Sequence, residues 1–529
     1  MSDGRLIHKT PRRSKVNRKR MFFLWAIPFI FVIASYTGAQ DAKTYFEQGN
    51  TNFRSGNYLE AIKNYDKAIE LDSRDSRLYL LRGVSYASMG KYDEAIRDYD
   101  KAADLNPKYA VTFSKRGEAY AALGKNSEAI KNYDTAIELN PKDAALYVRR
   151  GAAYAALGKY AEAIKNCDDA INLNPQYLEA YINRGIAQYM SGNYNEAIKN
   201  YDAAAKLNPR ENTVNLLRGA PYAALGNYPE AIKSYDRAIA LNPSYNEAYS
   251  NRGLVYSMSG NHSEAIKNYN KAIELNPKDT TTYRRRADAH EKLNNDTDAI
   301  KDYDKLIGLG LNDATIYFKR GSAFDKIGKF SEAIKDFDEA IKLKPDYFEA
   351  YYKRALALYA TARYPEAIAG LDKAIQINPD FASAYYNRGI AYAVTGNHAE
   401  AIKNYEKAIS LNPKDPAIFV RQGDAYMVLK DYVNAEQSYD KAINLDPTAP
   451  GVHYNRGLAL SRSGNNAEAV KSYSKAIGLS PGFVNALYNR AVSLRELGRE
   501  AEALNDYRAA ARLGDQGSQY YLKSKGIRW

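Results

Sequence analysis

The sequence predicts an all-α solenoid of helical repeats, and three observations predict it. Over residues 42–517 a glycine or alanine returns every 34 residues, from Gly49 to Ala491, without an insertion. Within each period two apolar stripes at helical spacing flank a turn such as Gly396-Asn397. The second stripe ends in half of the periods at "LNP", where proline has no N–H and disfavours helical backbone in the residue before it, so the helix stops. Length alone, 529 residues, would suggest several domains, but a fixed period takes precedence over that prior.

The chain opens with a basic arm, residues 1–20, in which eight Lys/Arg (Arg5, Lys9, Arg12, Arg13, Lys15, Arg18, Lys19, Arg20) face Asp3. That arm supplies +7 of the net +13, so the remaining charge is too dilute to imply a nucleic-acid partner. Residues 21–39, "MFFLWAIPFIFVIASYTGA", follow. Their unbroken apolar run, Met21 to Ala34, spans roughly 21 Å as a helix against roughly 30 Å of bilayer hydrocarbon. Small residues at Thr37-Gly38-Ala39 then suit cleavage after Ala39, which predicts a secretory signal. An uncleaved membrane anchor is the alternative, since the segment extended to Ala39 is longer. Both readings place the repeats outside the cytoplasm, periplasmic or secreted after cleavage, or tethered to the membrane.

Fourteen units then follow: 42–75, 76–109, 110–143, 144–177, 178–211, 212–245, 246–279, 280–313, 314–347, 348–381, 382–415, 416–449, 450–483 and 484–517. They are called repeats 1 to 14 below. In repeat 11, "ASAYYNRGIAYAVTGNHAEAIKNYEKAISLNPKD", the residues Tyr385, Gly389, Tyr392, Ala401, Tyr405, Ala408 and Pro413 carry the pattern. These residues resemble the tetratricopeptide repeat (TPR) family, over about nine-tenths of the chain. The resemblance implies helix hairpins stacked into a right-handed superhelix, a concave groove lined by the first helices, and the binding of a protein or peptide. One hairpin cannot bury its apolar face alone, so the ends need covering. Residues 518–529, with Tyr521, Leu522 and Ile527, are the predicted carboxyl-terminal capping helix.

An arginine precedes the landmark glycine or alanine in most repeats, and an acid commonly lies sixteen residues before it. In an antiparallel hairpin centred on the Asn-Pro turn such residues face each other, which pairs Asp66 with Arg82 and Asp372 with Arg388. The ends agree: repeat 1 has no predecessor and carries Gln48, while repeat 14 has no successor and carries Arg508 where the acid would stand. The rungs Asn270–Arg286 and Ser474–Arg490 lack the acid, so Arg286 and Arg490 are the expected free cations.

The residue three before each landmark is expected to face the groove. It is aliphatic or small in the first half and aromatic in the second: Phe318, Tyr352, Tyr386, Tyr454 and Tyr488. Such rings could hold an extended peptide or merely pack between neighbouring helices. Repeat 8 departs most, with Arg284, Asp288, Glu291 and Lys292 toward the groove and Gly308 and Gly310 in place of the Asn-Pro stop, which suggests a hinge or a charged pocket. Pro221 interrupts a first helix and is expected to kink it.

Catalysis finds little support. The chain has one cysteine, Cys167, in a slot that is usually tyrosine, and His262, His290, His398 and His453 also replace tyrosines without a metal-ligand partner at helical spacing. No phosphate-binding glycine loop occurs, no cofactor is implied, and the chain is expected not to be an enzyme. TPR domains that clamp the carboxylate tails of chaperones use an asparagine one residue past the landmark, and here only Asn50 matches. The leading expectation is a non-catalytic scaffold for a protein or peptide ligand. A structural protein of the cell envelope acting through self-association is the alternative.

Overall fold

The computed structural model describes the backbone of residues 27–529 and side chains from residue 41 onward. The basic arm 1–20 and the first part of the segment 21–39 lie outside the described residues. Twenty-nine helices are described, and no strand occurs among the described residues. The chain divides into two compact units, Met1–Ser244 and Tyr245–Trp529. Each is a stack of helix hairpins, an all-α solenoid of helical repeats.

Every repeat supplies a first helix of thirteen residues and a second of thirteen or fourteen, apart from the longer Ile27–Arg54 of repeat 1. In repeat 11 they are Ala382–Val394 and His398–Leu411. Gly396, at φ +84°, turns the chain between them in the left-handed region that glycine enters without steric cost. The same turn is made by Asn294, Ala362 and Lys430, at φ 56°, 59° and 60°. The second helix ends on Asn412, whose extended backbone (φ −135°, ψ 80°) is the conformation Pro413 imposes on it. Several first helices then start on an aspartate: Asp143 accepts from the Ala145 N–H at 3.0 Å and Asp415 from Ala417 at 2.9 Å.

The core runs along each stack instead of collecting at one centre. Tyr65, Tyr99, Tyr201, Tyr405, Tyr439 and Tyr473, one per second helix, are almost fully buried, together with the alanines that face the neighbouring helix. First helices of successive repeats touch one another, as in repeats 2 and 3 of the first unit and repeats 10 and 11 of the second.

Several details differ from the sequence expectation. The first helix of repeat 1 does not begin at Ala42; it is continuous over Ile27–Arg54, because no proline follows Pro28 to stop it. No described helix is long and apolar enough to cross a membrane. Gly310, at φ +90°, closes the second helix of repeat 8, and the compact unit continues through it; the division of the chain falls at Ser244, not in repeat 8. The terminal helix is Gln516–Ser524, shorter than the predicted 518–529 and started earlier by Asp515, which caps the Ser518 N–H at 2.6 Å. Leu522 is its fully buried anchor, with Tyr521 against Tyr507 at 4.3 Å.

Candidate binding surface

Most of the arginines that precede the landmark residues are held inside the fold. Arg82 donates from Nη1 to Asp66 at 2.6 Å, and Arg388 from Nη1 to Asp372 at 2.5 Å. Each also reaches sixteen residues forward, into its own second helix. Arg82 grips Asp98 through Nε and Nη2 at 2.9 and 2.6 Å, and Arg388 donates from Nε to Asn404 at 2.7 Å. The guanidinium is therefore a rivet between two successive second helices, and about a fifth of each side chain is exposed. Arg286 and Arg490 are not free, contrary to expectation. Arg286 donates to Asn270 at 2.6 Å and holds Asp302 through two nitrogens. Arg490 donates to Ser474 at 2.8 Å and holds Asp506 at 2.7 Å twice. Where the backward partner is neutral, the forward partner is the carboxylate.

Repeat 8 does not leave an open charged pocket, because its charges neutralise one another. Asp288 pairs with Lys319, Glu291 lies 3.5 Å from the same lysine, and Arg284 reaches Asp313 at 3.4 Å. Glu291 also accepts from the Tyr303 hydroxyl at 2.6 Å. Lys292 is exposed, while Arg284 and Asp288 are paired with their side chains 40% and 48% open to solvent.

The five rings are half-buried, each seated on a neighbour with the rest at the surface. Tyr386 lies 6.2 Å from Tyr405, Tyr488 5.9 Å from Tyr507, and Phe318 5.8 Å from Phe337. A second ring, the residue before the next first helix, backs three of them: Phe318 on Tyr347, Tyr352 on Phe381, Tyr454 on Phe483, at 4.9 to 5.0 Å. The Tyr352 and Tyr454 hydroxyls accept from Asn387 and Asn489 of the following repeats at 3.1 and 3.3 Å. Packing thus fixes the rings without hiding them. Repeat 12 breaks the row with Val420, and beside it Asp424 accepts from Tyr439 at 2.9 Å and Asn455 at 3.4 Å, with Arg421 at 3.7 Å.

The remaining polar candidates serve packing. Asn50 spends its carbonyl oxygen on the Tyr65 hydroxyl at 2.8 Å. Cys167 is fully buried and burial pushes its thiol up to about 12, so it stays protonated and inert. His453 meets the Pro447 carbonyl at 3.0 Å, and burial holds the half-buried His290 below the usual histidine range. Among the described residues no group of metal-ligating side chains is assembled.

Tetratricopeptide repeat models match residues 44–158, 219–260, 321–396 and 423–464 in one form, with other forms at 143–209, 247–279, 382–415 and 454–518. The chain is a helical-repeat scaffold of the kind that generally binds proteins or peptides. It belongs to the tetratricopeptide repeat family. No curated protein matches it. Similar solved structures include a tetratricopeptide repeat protein from Parabacteroides merdae, at 20% identity over 47% of this chain and 99% of that one, TM-score 0.41. The Cut9-Hcn1 hetero-tetramer of APC/C is similar at 14% identity over 93% of this chain and 97% of that one, TM-score 0.40. YrrB, a TPR protein with an unusual peptide-binding site, is similar at 21% identity over 35% of this chain and 95% of that one, TM-score 0.29.

Proposed function

We propose that the chain is a non-catalytic scaffold, exported or membrane-tethered, that holds an extended segment of a protein partner along the first helices of residues 245–529. The observation that carries this reading is the row Phe318, Tyr352, Tyr386, Tyr454 and Tyr488: rings at multiples of 34 residues, each locked from behind and partly exposed. Locked rings lose little freedom when a ligand lies on them, so their contact area converts into affinity at low ordering cost. Contact between successive first helices supports a concavity on that side of the stack. The basic arm and the apolar segment 21–39 support export or tethering.

Affinity capture with the full chain, followed by the same capture with Tyr386→Ala and Tyr454→Ala combined, tests the groove. One stoichiometric partner lost in the double variant supports it; undiminished capture sinks it. Concentration-dependent self-association in sedimentation, with no partner captured, favours the envelope-assembly alternative. Amino-terminal sequencing of the mature protein separates a signal, with a start at Gln40, from an anchor, with Met1 or Ser2 retained.

A further inference from the structure

In repeat 10 the arginine rivet is incomplete. Arg354 turns its guanidinium so that Nε faces the acid sixteen residues back, lying 2.6 Å from Asp338 Oδ1 in an ion pair not aligned as a hydrogen bond. Arg456 takes a similar pose, its Nε donating to Asp440 at 2.5 Å. That pose sends the two terminal nitrogens elsewhere, and Arg456 shows what they require: Nη1 donates to Ser472 at 2.7 Å and Nη2 to Glu436 at 3.3 Å. The residues at the corresponding positions around Arg354 are Gly370, sixteen after, and Ile334, twenty before. Neither side chain can accept. Glycine at 370 accommodates Ala355, since a Cβ there would stand 3.1 Å from the Ala355 Cβ, and the acceptor is lost with the side chain. Among the described residues the terminal nitrogens of Arg354 have no hydrogen-bond partner, although only a quarter of the side chain is exposed.

We propose that Arg354 is a docking site for a carboxylate, which takes the place that Glu436 fills for Arg456. A guanidinium edge offers two parallel donors at the spacing of carboxylate oxygens, and partial burial shields the pair from screening. The site opens between the second helices Phe330–Leu343 and Tyr364–Ile377, apart from the row of rings, so it stands or falls separately from the groove. The carboxylate comes either from an acidic side chain of a partner or from a free organic anion.

Phenylglyoxal, which attacks the terminal nitrogens of arginine, tests the proposal on the full chain, with peptide mapping to follow each site and the exposed Arg462 as control. Arg354 reacts ahead of Arg388 and Arg456. Acetate at ten times its dissociation constant slows Arg354 about tenfold, because the free fraction falls in that proportion, and leaves Arg462 unaffected. A short glutamate-rich peptide supplies the second arm: protection by both probes means carboxylate chemistry open to either source, by the peptide alone a protein side chain, by acetate alone a small anion. Ile334→Glu, which puts into the chain the carboxylate Arg456 already has, and the milder Gly370→Ser each slow modification and abolish the acetate effect, in protein whose helical circular dichroism is unchanged. Equal reactivity of Arg354 and Arg388, or protection by neither probe, overturns it.

Discussion

Tyr405 lays its ring across Gly389: a Cβ built on the glycine would stand 2.5 Å from Cε1 and 2.8 Å from Cδ1 of the tyrosine. In repeat 11 the two helices therefore approach closely at one ring. Gly389→Ala is expected to lower stability by about 1–3 kcal/mol through overpacking, measured by urea unfolding. Repeat 10 shows one accommodation, with Ala355 opposite the smaller Leu371, and repeats 8 and 14 another, with Ala287 and Ala491 buried in the same clusters as Tyr303 and Tyr507. Adding Tyr405→Leu to Gly389→Ala should then cost less than the two changes summed, and an unchanged unfolding midpoint in the single variant would refute the close-approach account.

Arg388 joins Asp372, half exposed, to Asn404, which is buried. The two partners should respond differently. Asp372→Ala leaves nothing buried without a partner and is expected to cost less than about 1 kcal/mol. Arg388→Ala strands the buried Asn404 carbonyl and is expected to cost about 1–3 kcal/mol. The double variant Asp372→Ala, Arg388→Ala should depart from additivity by at least about 0.5 kcal/mol. If Arg388→Ala leaves melting unchanged and abolishes partner capture, the rivet is a ligand site instead.

Half of that rivet was legible in the sequence. Residues sixteen apart and symmetric about the Asn378-Pro379 turn face each other, which gives Asp372 and Arg388. The same symmetry holds about Gly396, the turn inside the repeat, and gives Asn404; the signal was a run of Asp, Asn or Ser at that position, interrupted at Gly370. Charge does not reveal it, because many of the forward partners are neutral, so that by charge pairing Arg286 and Arg490 are free and Arg354 is not. The hairpin order was readable because each repeat carries its own stop and turn. Ring seating in the row from Phe318 to Tyr488 was not, because it depends on Tyr347, Phe381 and Phe483, at a position of the period where several other repeats carry Asp, Glu or Ala.

Ala362 occupies the left-handed turn that Gly396 makes one repeat later, at φ 59° against 84°. A Cβ in that region crowds the carbonyl oxygen, at roughly 1–2 kcal/mol per residue. Ala362→Gly is expected to raise stability by up to about 1 kcal/mol, the relief of crowding being partly offset by the freedom glycine gains in the unfolded chain. Lys430→Gly should behave alike, and a fall in the urea midpoint for both would show that the turn is held without strain.

Two aspartates should respond to pH with opposite sign. Burial raises the Asp424 carboxyl above the usual range, with the Tyr439 hydroxyl and Arg421 opposing. Its folded form holds the proton more tightly than the unfolded chain does, so ionisation weakens folding as pH rises through the carboxylate range. Asp313 is lowered, first by the Thr315 N–H at 2.9 Å and further by Arg284, so its charge favours folding above the unfolded value and that gain is lost as pH falls through the folded one. Asp424→Asn, which keeps an acceptor for Tyr439, is therefore expected to be more stable than the parent at pH 7, with the gain shrinking as pH falls from the raised folded value to the unfolded one. Asp313→Asn is expected to be less stable at pH 7, with the loss shrinking in the more acid range, as pH falls from the unfolded value through the lowered folded one. Unfolding midpoints of both variants and the parent, taken across that range, check the pair; a stabilised Asp313→Asn or a destabilised Asp424→Asn at pH 7 reverses the assigned cause.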